Sequence, residues 1–278
     1  MSLSRSSAVS SQSNLPDGIL LYDKPAGVTS HDVVAGVRRR FGRGVKVGHA
    51  GTLDPFATGL LLVLVGRATR VQRFLMALPK RYETVARFGA VSDTGDCDGT
   101  ITETGLVPSG ALKLPTGKLT QRPPAYSAVK IDGRRAYERA RAGEAVEVPE
   151  REVSVYRFDE LWRDGDRRGF VIECSSGTYV RSLIMALGDA YCLELRRLAI
   201  GEFSVDDAGR FIGLNDALSF LPAVQLEPDD AKRAGHGVST PYRGQNSPDP
   251  VRLLDADGLI AIAEPRDGML KPIVGFRG

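Results

Sequence analysis

One carboxylate stands apart in this sequence. Between Val33 and Tyr82, fifty residues hold ten lysines and arginines and a single acid, Asp54. It lies in GHAGTLDPFATG, residues 48–59. Here Gly48, Gly51 and Gly59 free the backbone for positive φ or close approach to a ligand, and Pro55 pushes Asp54 toward an extended conformation. Asp54 is therefore expected on a loop. Surrounding cations favour the ionised carboxylate and lower its pKa, and an ionised carboxylate can act as a nucleophile or as a base. The purely structural alternative is an Asx turn ahead of the proline.

The rest of the composition bounds what that chemistry could serve. The chain has 278 residues, 42% hydrophobic and 26% charged, enough for one large domain and a small one. Its net charge of +3 is uneven: residues 1–100 carry thirteen basic and eight acidic side chains. Such a surplus beside the glycine-rich loop suits a polyanion, although a solvated charged face reads the same way. Cys97, Cys174 and Cys192 are too few and too scattered for a disulfide framework or a zinc site. Asp93, Asp96 and Asp98 alternate like a calcium loop but lack its downstream glutamate, so no metal is expected. Leu60–Val65, the longest strongly apolar stretch, is too short to span a bilayer, and the Ser-rich N-terminus has no apolar run. The expectation is a cytoplasmic protein with no membrane association and, as the default, a monomer.

Several elements must position Asp54. Residues 1–14 read as a disordered tail. Gly18–Lys24 reads as a strand ending at Pro25-Ala26-Gly27, followed by a helix capped at Thr29 or Ser30 and running to about Phe41, with Val33, Val34, Val37 and Phe41 on one face. Leu60–Val65 suits a buried strand or a short helix, Thr69–Leu78 a helix with Arg70 and Arg73 outward, and Tyr82–Phe88 a half-buried strand. Gln121–Lys130 is extended and proline-stiffened, and a helix follows near Ala136–Ala142. Val153–Trp162 and Gly169–Cys174 read as a hairpin, Arg181–Leu187 as a helix, and Arg196-Arg197 as a further basic cluster. Beyond Pro222, short apolar runs between Asp-Gly turns suggest a small β-rich appendage.

Several of these segments together resemble one family, the tRNA pseudouridine-55 synthases of the TruB type. Lys24–Ser30 (KPAGVTS) is similar to its first motif, residues 48–59 to its catalytic motif, and Lys80-Arg81-Tyr82 to the segment carrying a base-stacking tyrosine. Ser176–Leu183 (SGTYVRSL) is similar to the segment carrying the arginine that pairs with the catalytic aspartate. Gln121–Lys130, Leu195-Arg196-Arg197 and Gly201-Glu202-Phe203 match in order, so the resemblance spans about residues 18–203. It implies an α+β fold, with a mixed, largely antiparallel sheet flanked by helices in residues 15–222 and a small PUA-like RNA-binding domain in 223–278. It also implies isomerisation of uridine 55 in the T-arm of tRNA without cofactor or metal. Asp54 would be the nucleophile, Arg181 its partner, Tyr82 the platform under the flipped base, Tyr179 a pocket wall and His49 a helper at the flipped nucleotide.

Between Gly99 and Gln121, and between Gly188 and Leu195, the chain is shorter than the resemblance implies. Two rival readings use the same residues. A non-catalytic tRNA-binding or RNA-folding protein needs the basic surface but not Asp54. A glycoside-type hydrolase needs a second carboxylate as acid, for which Asp93, Asp96 and Asp98 are the candidates.

Overall fold

The computed structural model describes residues 17–277 apart from 43, 125, 127–128, 132, 145–146 and 245–248. The expected tail, 1–14, lies outside the described residues, as do Arg43 and part of the proline-stiffened segment. The chain begins with β1 (Gly18–Lys24) and α1 (Ser30–Phe41). Thr29 caps α1 reciprocally with Asp32, each side chain taking a backbone N–H of the other. A hairpin of β2 (Val47–Ala50) and β3 (Thr58–Val65) follows, then a 3-10 turn over Gly66–Val71, α2 (Gln72–Ala77) and β4 (Lys80–Phe88). Next come a ribbon of β5 (Ala90–Ser92) and β6 (Ile101–Glu103), then β7 (Gly117–Gln121), a second ribbon of β8 (Lys130–Ile131) and β9 (Arg134–Arg135), and α3 (Ala136–Arg141). The hairpin of β10 (Arg151–Asp164) and β11 (Arg167–Cys174) leads to α4 (Val180–Met185), β12 (Ala190–Ile200), β13 (Phe203–Ser204) and β14 (Phe211–Gly213).

These strands build one mixed sheet in the order β14-β1-β3-β12-β4-β11-β10-β7, with β2 also on β3 and β13 on β12. Every pairing is antiparallel except β3 with β12, which is parallel at Thr58 and Gly59 opposite Arg196 and Arg197. The α+β class and the largely antiparallel sheet are as the resemblance implies. Leu60–Val65 is strand rather than helix because both its faces are covered, which turns the usual alternation into an unbroken apolar run. Leu61 and Val63 meet Val33, Val34 and Val37 of α1, while Leu60, Leu62 and Leu64 enter a larger core on the other side. In β4, Lys80, Tyr82, Thr84, Ala86 and Phe88 point inward, as the alternating pattern predicts.

A break in pairing locates the site. β1 flanks β3 along its whole length. On the other side β2 pairs with Leu62–Val65, and β12 pairs only at Thr58 and Gly59. Residues 51–57 leave the sheet where β3 changes partner, so a gap opens beside them. The crossing requires Gly59. Its φ is +101°, and a Cβ there would stand 2.3 Å from the carbonyl oxygen of Arg197.

The C-terminal residues form a separate five-stranded sheet beginning at Ala223. Its strands are β15 (Ala223–Gln225), β16 (Thr240–Pro241), β17 (Val251–Asp255), β18 (Gly258–Arg266) and β19 (Met269–Gly275), in the order β15-β17-β18-β19-β16. One face packs on α5 (Pro228–Gly235). From the other, Ile262, Val274 and Phe276 join the core of Ile19, Leu60, Leu62 and Leu64. Arg252 reinforces the junction with bonds to the carbonyls of Leu221 (3.0 Å) and Asn215 (3.1 Å).

Gly59→Ala combines a disfavoured φ with a backbone clash, and should destabilise the protein by at least about 2 kcal/mol. Urea denaturation of the two proteins measures it.

Candidate active site

The loop that carries Asp54 is fixed from three directions. A backbone bond from Ala57 N–H to the Asp54 carbonyl, 3.1 Å, closes a turn with Pro55 at its second position. That bond leaves the Asp54 carboxylate outside the turn, so the Asx-turn alternative does not hold. The Lys24 ammonium, fully buried, donates to the carbonyls of Val28 (2.8 Å), Pro25 (2.9 Å) and Pro55 (3.1 Å), and Gly27 N–H donates to Pro55 (2.9 Å). The Ser30 hydroxyl accepts from Leu53 N–H (2.9 Å) and contacts its carbonyl. The segment 24–30 is thus the brace of the loop.

Arg181, on the first turn of α4, is 2% exposed and stands behind the carboxylate. Its Nε lies 3.0 Å from Asp54 Oδ2, and its Nη1 lies 2.9 Å from Asp96 Oδ2. Nη1 also donates to the Thr94 carbonyl (2.8 Å) and Nη2 to that of Tyr126 (3.0 Å). The contact with Asp54 is an ion pair in which the N–H is not aligned on the oxygen. Asp54 keeps 29% of its side chain open. Asp96 is held on both oxygens: Oδ1 takes the Thr94 hydroxyl (2.6 Å) and the Asp98 N–H (3.1 Å), while Oδ2 takes Arg181.

Asp54 faces a cavity of about 190 Å³ whose wall includes Leu53, Lys80, Tyr82, Arg151, Tyr179, Arg181, Leu195 and Arg197. Tyr82 reaches it from β4 and is 8% exposed. Tyr179, just before α4, is clamped through its backbone: Gln121 Nε2 donates to its carbonyl (2.9 Å) and its N–H donates to Gln121 Oε1 (2.8 Å). The Arg151 guanidinium lies 4.8 Å from the centre of its ring. The cavity therefore gathers Asp54, Tyr82, Tyr179 and Arg181. His49 is elsewhere: it sits in β2, its carbonyl takes Gln72 Nε2 at 2.7 Å, and it is not part of the cavity wall.

Burial corrects the expected direction of the Asp54 pKa. Loss of solvent pushes this carboxyl above its ordinary value and the Asp96 charge adds to that, while Arg181 and then Lys24 oppose. The same burial raises the Tyr82 phenol, which stays protonated, and pushes the Cys174 and Cys192 thiols to about 11 and about 12, too high for thiolate chemistry.

Three residues of this site carry no role in the resemblance. Asp96, in a turn where no metal is expected and named only as a candidate acid of the rival hydrolase, anchors Arg181. Among the described residues no cluster of His, Cys, Asp or Glu is arranged to hold a metal ion. Arg197 read only as one of a basic cluster with Arg196; it is 1% exposed, while Arg196 reaches solvent, paired to Asp23 at 2.7 Å. Gln121 read only as part of a stiff segment. Among the described residues of the cavity wall Asp54 is the single carboxylate. A hydrolase would need a second one in reach of the substrate.

The sequence model of the TruB family pseudouridylate synthase, N-terminal domain, matches residues 38–180. The tRNA pseudouridine synthase B of Thermobifida fusca (strain YX) is 40% identical over 95% of this chain and 100% of its own. The chain belongs to the TruB family. Another TruB relative, the tRNA pseudouridine synthase B of Aquifex aeolicus (strain VF5), is 37% identical over 92% of this chain and 98% of its own. Among solved structures, a Cbf5-Nop10-Gar1 complex has a chain 26% identical, with a TM-score of 0.68 over 93% of this TruB-family chain and 84% of that one. The Asp54 loop and Arg181 differ in this respect: the loop lies inside the matched N-terminal segment, and Arg181 lies one residue beyond it.

Because the Asp54 carboxyl is raised, its ionised form is gained as pH rises through a value above the ordinary 3.8. The single-turnover rate should show an acid limb above that pH. Arg181→Met, which removes the largest opposing charge, should lower the rate and move the limb to higher pH; pH–rate profiles of both proteins check this.

Proposed function

We propose that this protein isomerises uridine to pseudouridine in tRNA, at position 55 of the T-arm. The observation that carries the reading is the pair Asp54–Arg181, with Asp54 open to a cavity that Tyr82 and Tyr179 also line. Isomerisation requires the target uridine to leave its stack, because no side chain reaches C1′ or C6 inside a helix. Tyr82 then stacks on the everted base, worth about 1–3 kcal/mol by comparison with single-strand binding. Tyr179 forms the adjoining wall, held by Gln121 and Arg151.

Asp54 supplies the negative group that starts the rearrangement. Arg181 keeps it ionised against the cost of burial and leaves its oxygens unclaimed by a linear hydrogen bond. Attack at C1′, attack at C6 and removal of a ribose proton all need that carboxylate. The overall change moves the bond at C1′ from N1 to C5 and exchanges a proton from C5 for one at N1, so neither redox carrier nor metal enters the balance. Arg70 and Arg73 project from the 3-10 turn and α2 as the exposed basic groups expected beside a polyanion. The C-terminal sheet serves as a further RNA-binding surface.

Incubation with unmodified tRNA, followed by carbodiimide-blocked primer extension, tests the reading. Pseudouridine at position 55 with the native protein and none with Asp54→Asn is the expected result. Binding by both without modification would favour an RNA-folding protein. Affinity for tRNA should fall steeply as salt rises, since each neutralised phosphate releases counterions; a filter-binding titration across salt concentrations measures the slope.

A further inference from the structure

Two nearly sealed guanidiniums line the cavity, and only one is neutralised. Arg181 has Asp54 and Asp96. Arg197, 1% exposed, has no carboxylate partner among the described residues. Its Nε donates to the Leu60 carbonyl (2.7 Å), its Nη2 to Gly51 (3.1 Å) and its Nη1 to Thr52 (3.5 Å). Beside it Lys80, 7% exposed, also in the cavity wall, spends its ammonium on the carbonyls of Met76 and Leu78 and likewise lacks a carboxylate. Their charges act on each other: burial, then repulsion from Arg197, brings the Lys80 amine down to about 8.

A sealed cation without a counter-ion costs several kcal/mol, which carbonyl dipoles offset only in part. A neutral amide could brace the Gly51–Thr52 loop without that cost. The retained charge instead puts a positive potential on the cavity wall beside Tyr82, whose phenol hydroxyl lies in the field of Arg197. No backbone phosphate can touch a guanidinium this deep, so what meets the potential is the everted base.

Given the isomerase reading, on which this rests, the base does become negative. When N1–C1′ breaks, its electron pair stays on the ring and leaves a uracil anion. C5 then bonds to C1′, the C5 proton is lost, and N1 regains one. Attack at C6 and ribose deprotonation likewise place negative charge on the ring before C5–C1′ forms. We infer that Arg197, with Lys80 beside it, is a positioning residue for charge: it holds the negative charge the detached uracil carries, whichever route Asp54 takes.

The test compares Arg197→Gln with Arg197→Lys in single-turnover reactions on a T-arm RNA, alongside Kd and thermal melting. Removing the charge should lower the rate about 100-fold, the scale of one lost transition-state donor, while Kd changes little and Arg197→Lys keeps most of the rate. A 5-fluorouridine target, whose ring anion needs less stabilisation, should shrink the deficit of Arg197→Gln to about tenfold when nucleoside consumption is followed by digestion and mass spectrometry. Equal losses in both variants, an undiminished deficit with 5-fluorouridine, a loss confined to Kd, or failure of both variants to fold would overturn the inference and leave Arg197 as a brace. Absence of pseudouridine with the native protein would instead overturn the isomerase reading.

Discussion

One guanidinium shared by two carboxylates sets the character of this protein. In a cavity where Asp54 is largely desolvated, a lone carboxyl would be pushed toward its protonated form; a private, linear Arg181–Asp54 pair would favour the ion but engage it. Asp96 claims part of the Arg181 fork, so that Arg181 opposes the burial of Asp54 without engaging it as a private partner. The Thr94 and Tyr126 carbonyls take further guanidinium protons and leave Arg181 a single orientation.

Such a balance demands rigid placement, and the sheet provides it. Asp54 comes from the connection between β2 and β3, Tyr82 from β4, Arg197 from β12 and Arg181 from the short helix after β11. All emerge around the point where β3 exchanges one neighbour for another. The first motif holds the loop from outside through Lys24, Gly27 and Ser30, and Arg197 holds it from beneath. Support therefore reaches the carboxylate from residues more than a hundred positions apart, mostly through backbone carbonyls.

Legibility in the sequence followed how local each signal was. The helix cap expected at Thr29 or Ser30, the alternation from Tyr82 to Phe88 and the hairpin from Val153 to Cys174 rest on neighbours in the chain, and the structure has all three, the cap at Thr29. The helix expected from Thr69 became a 3-10 turn and a six-residue α-helix, because tertiary packing of Ala68, Val71 and Leu75 set the turn geometry. Asp54 was conspicuous by its charge contrast, yet the same contrast gave the wrong direction for its pKa, since burial is not written in composition. Asp96 and Arg197 were hidden for the same reason. A charged residue in a polar turn or beside another arginine looks solvated until the sheet closes over it. His49, close in sequence to Asp54, lies in β2 and is not among the residues of the cavity wall.

The C-terminal sheet shares its hydrophobic interior with β3, through Ile262, Val274 and Phe276 against Leu60, Leu62 and Leu64. The strand that launches the Asp54 loop is thus buttressed by residues 262–276. Packing behind that loop is complete only once these later residues are in place. Loss of residues 270–276 would uncover Leu60, Leu62 and Leu64 behind the Asp54 loop, so the appendage is packed into the first sheet's core.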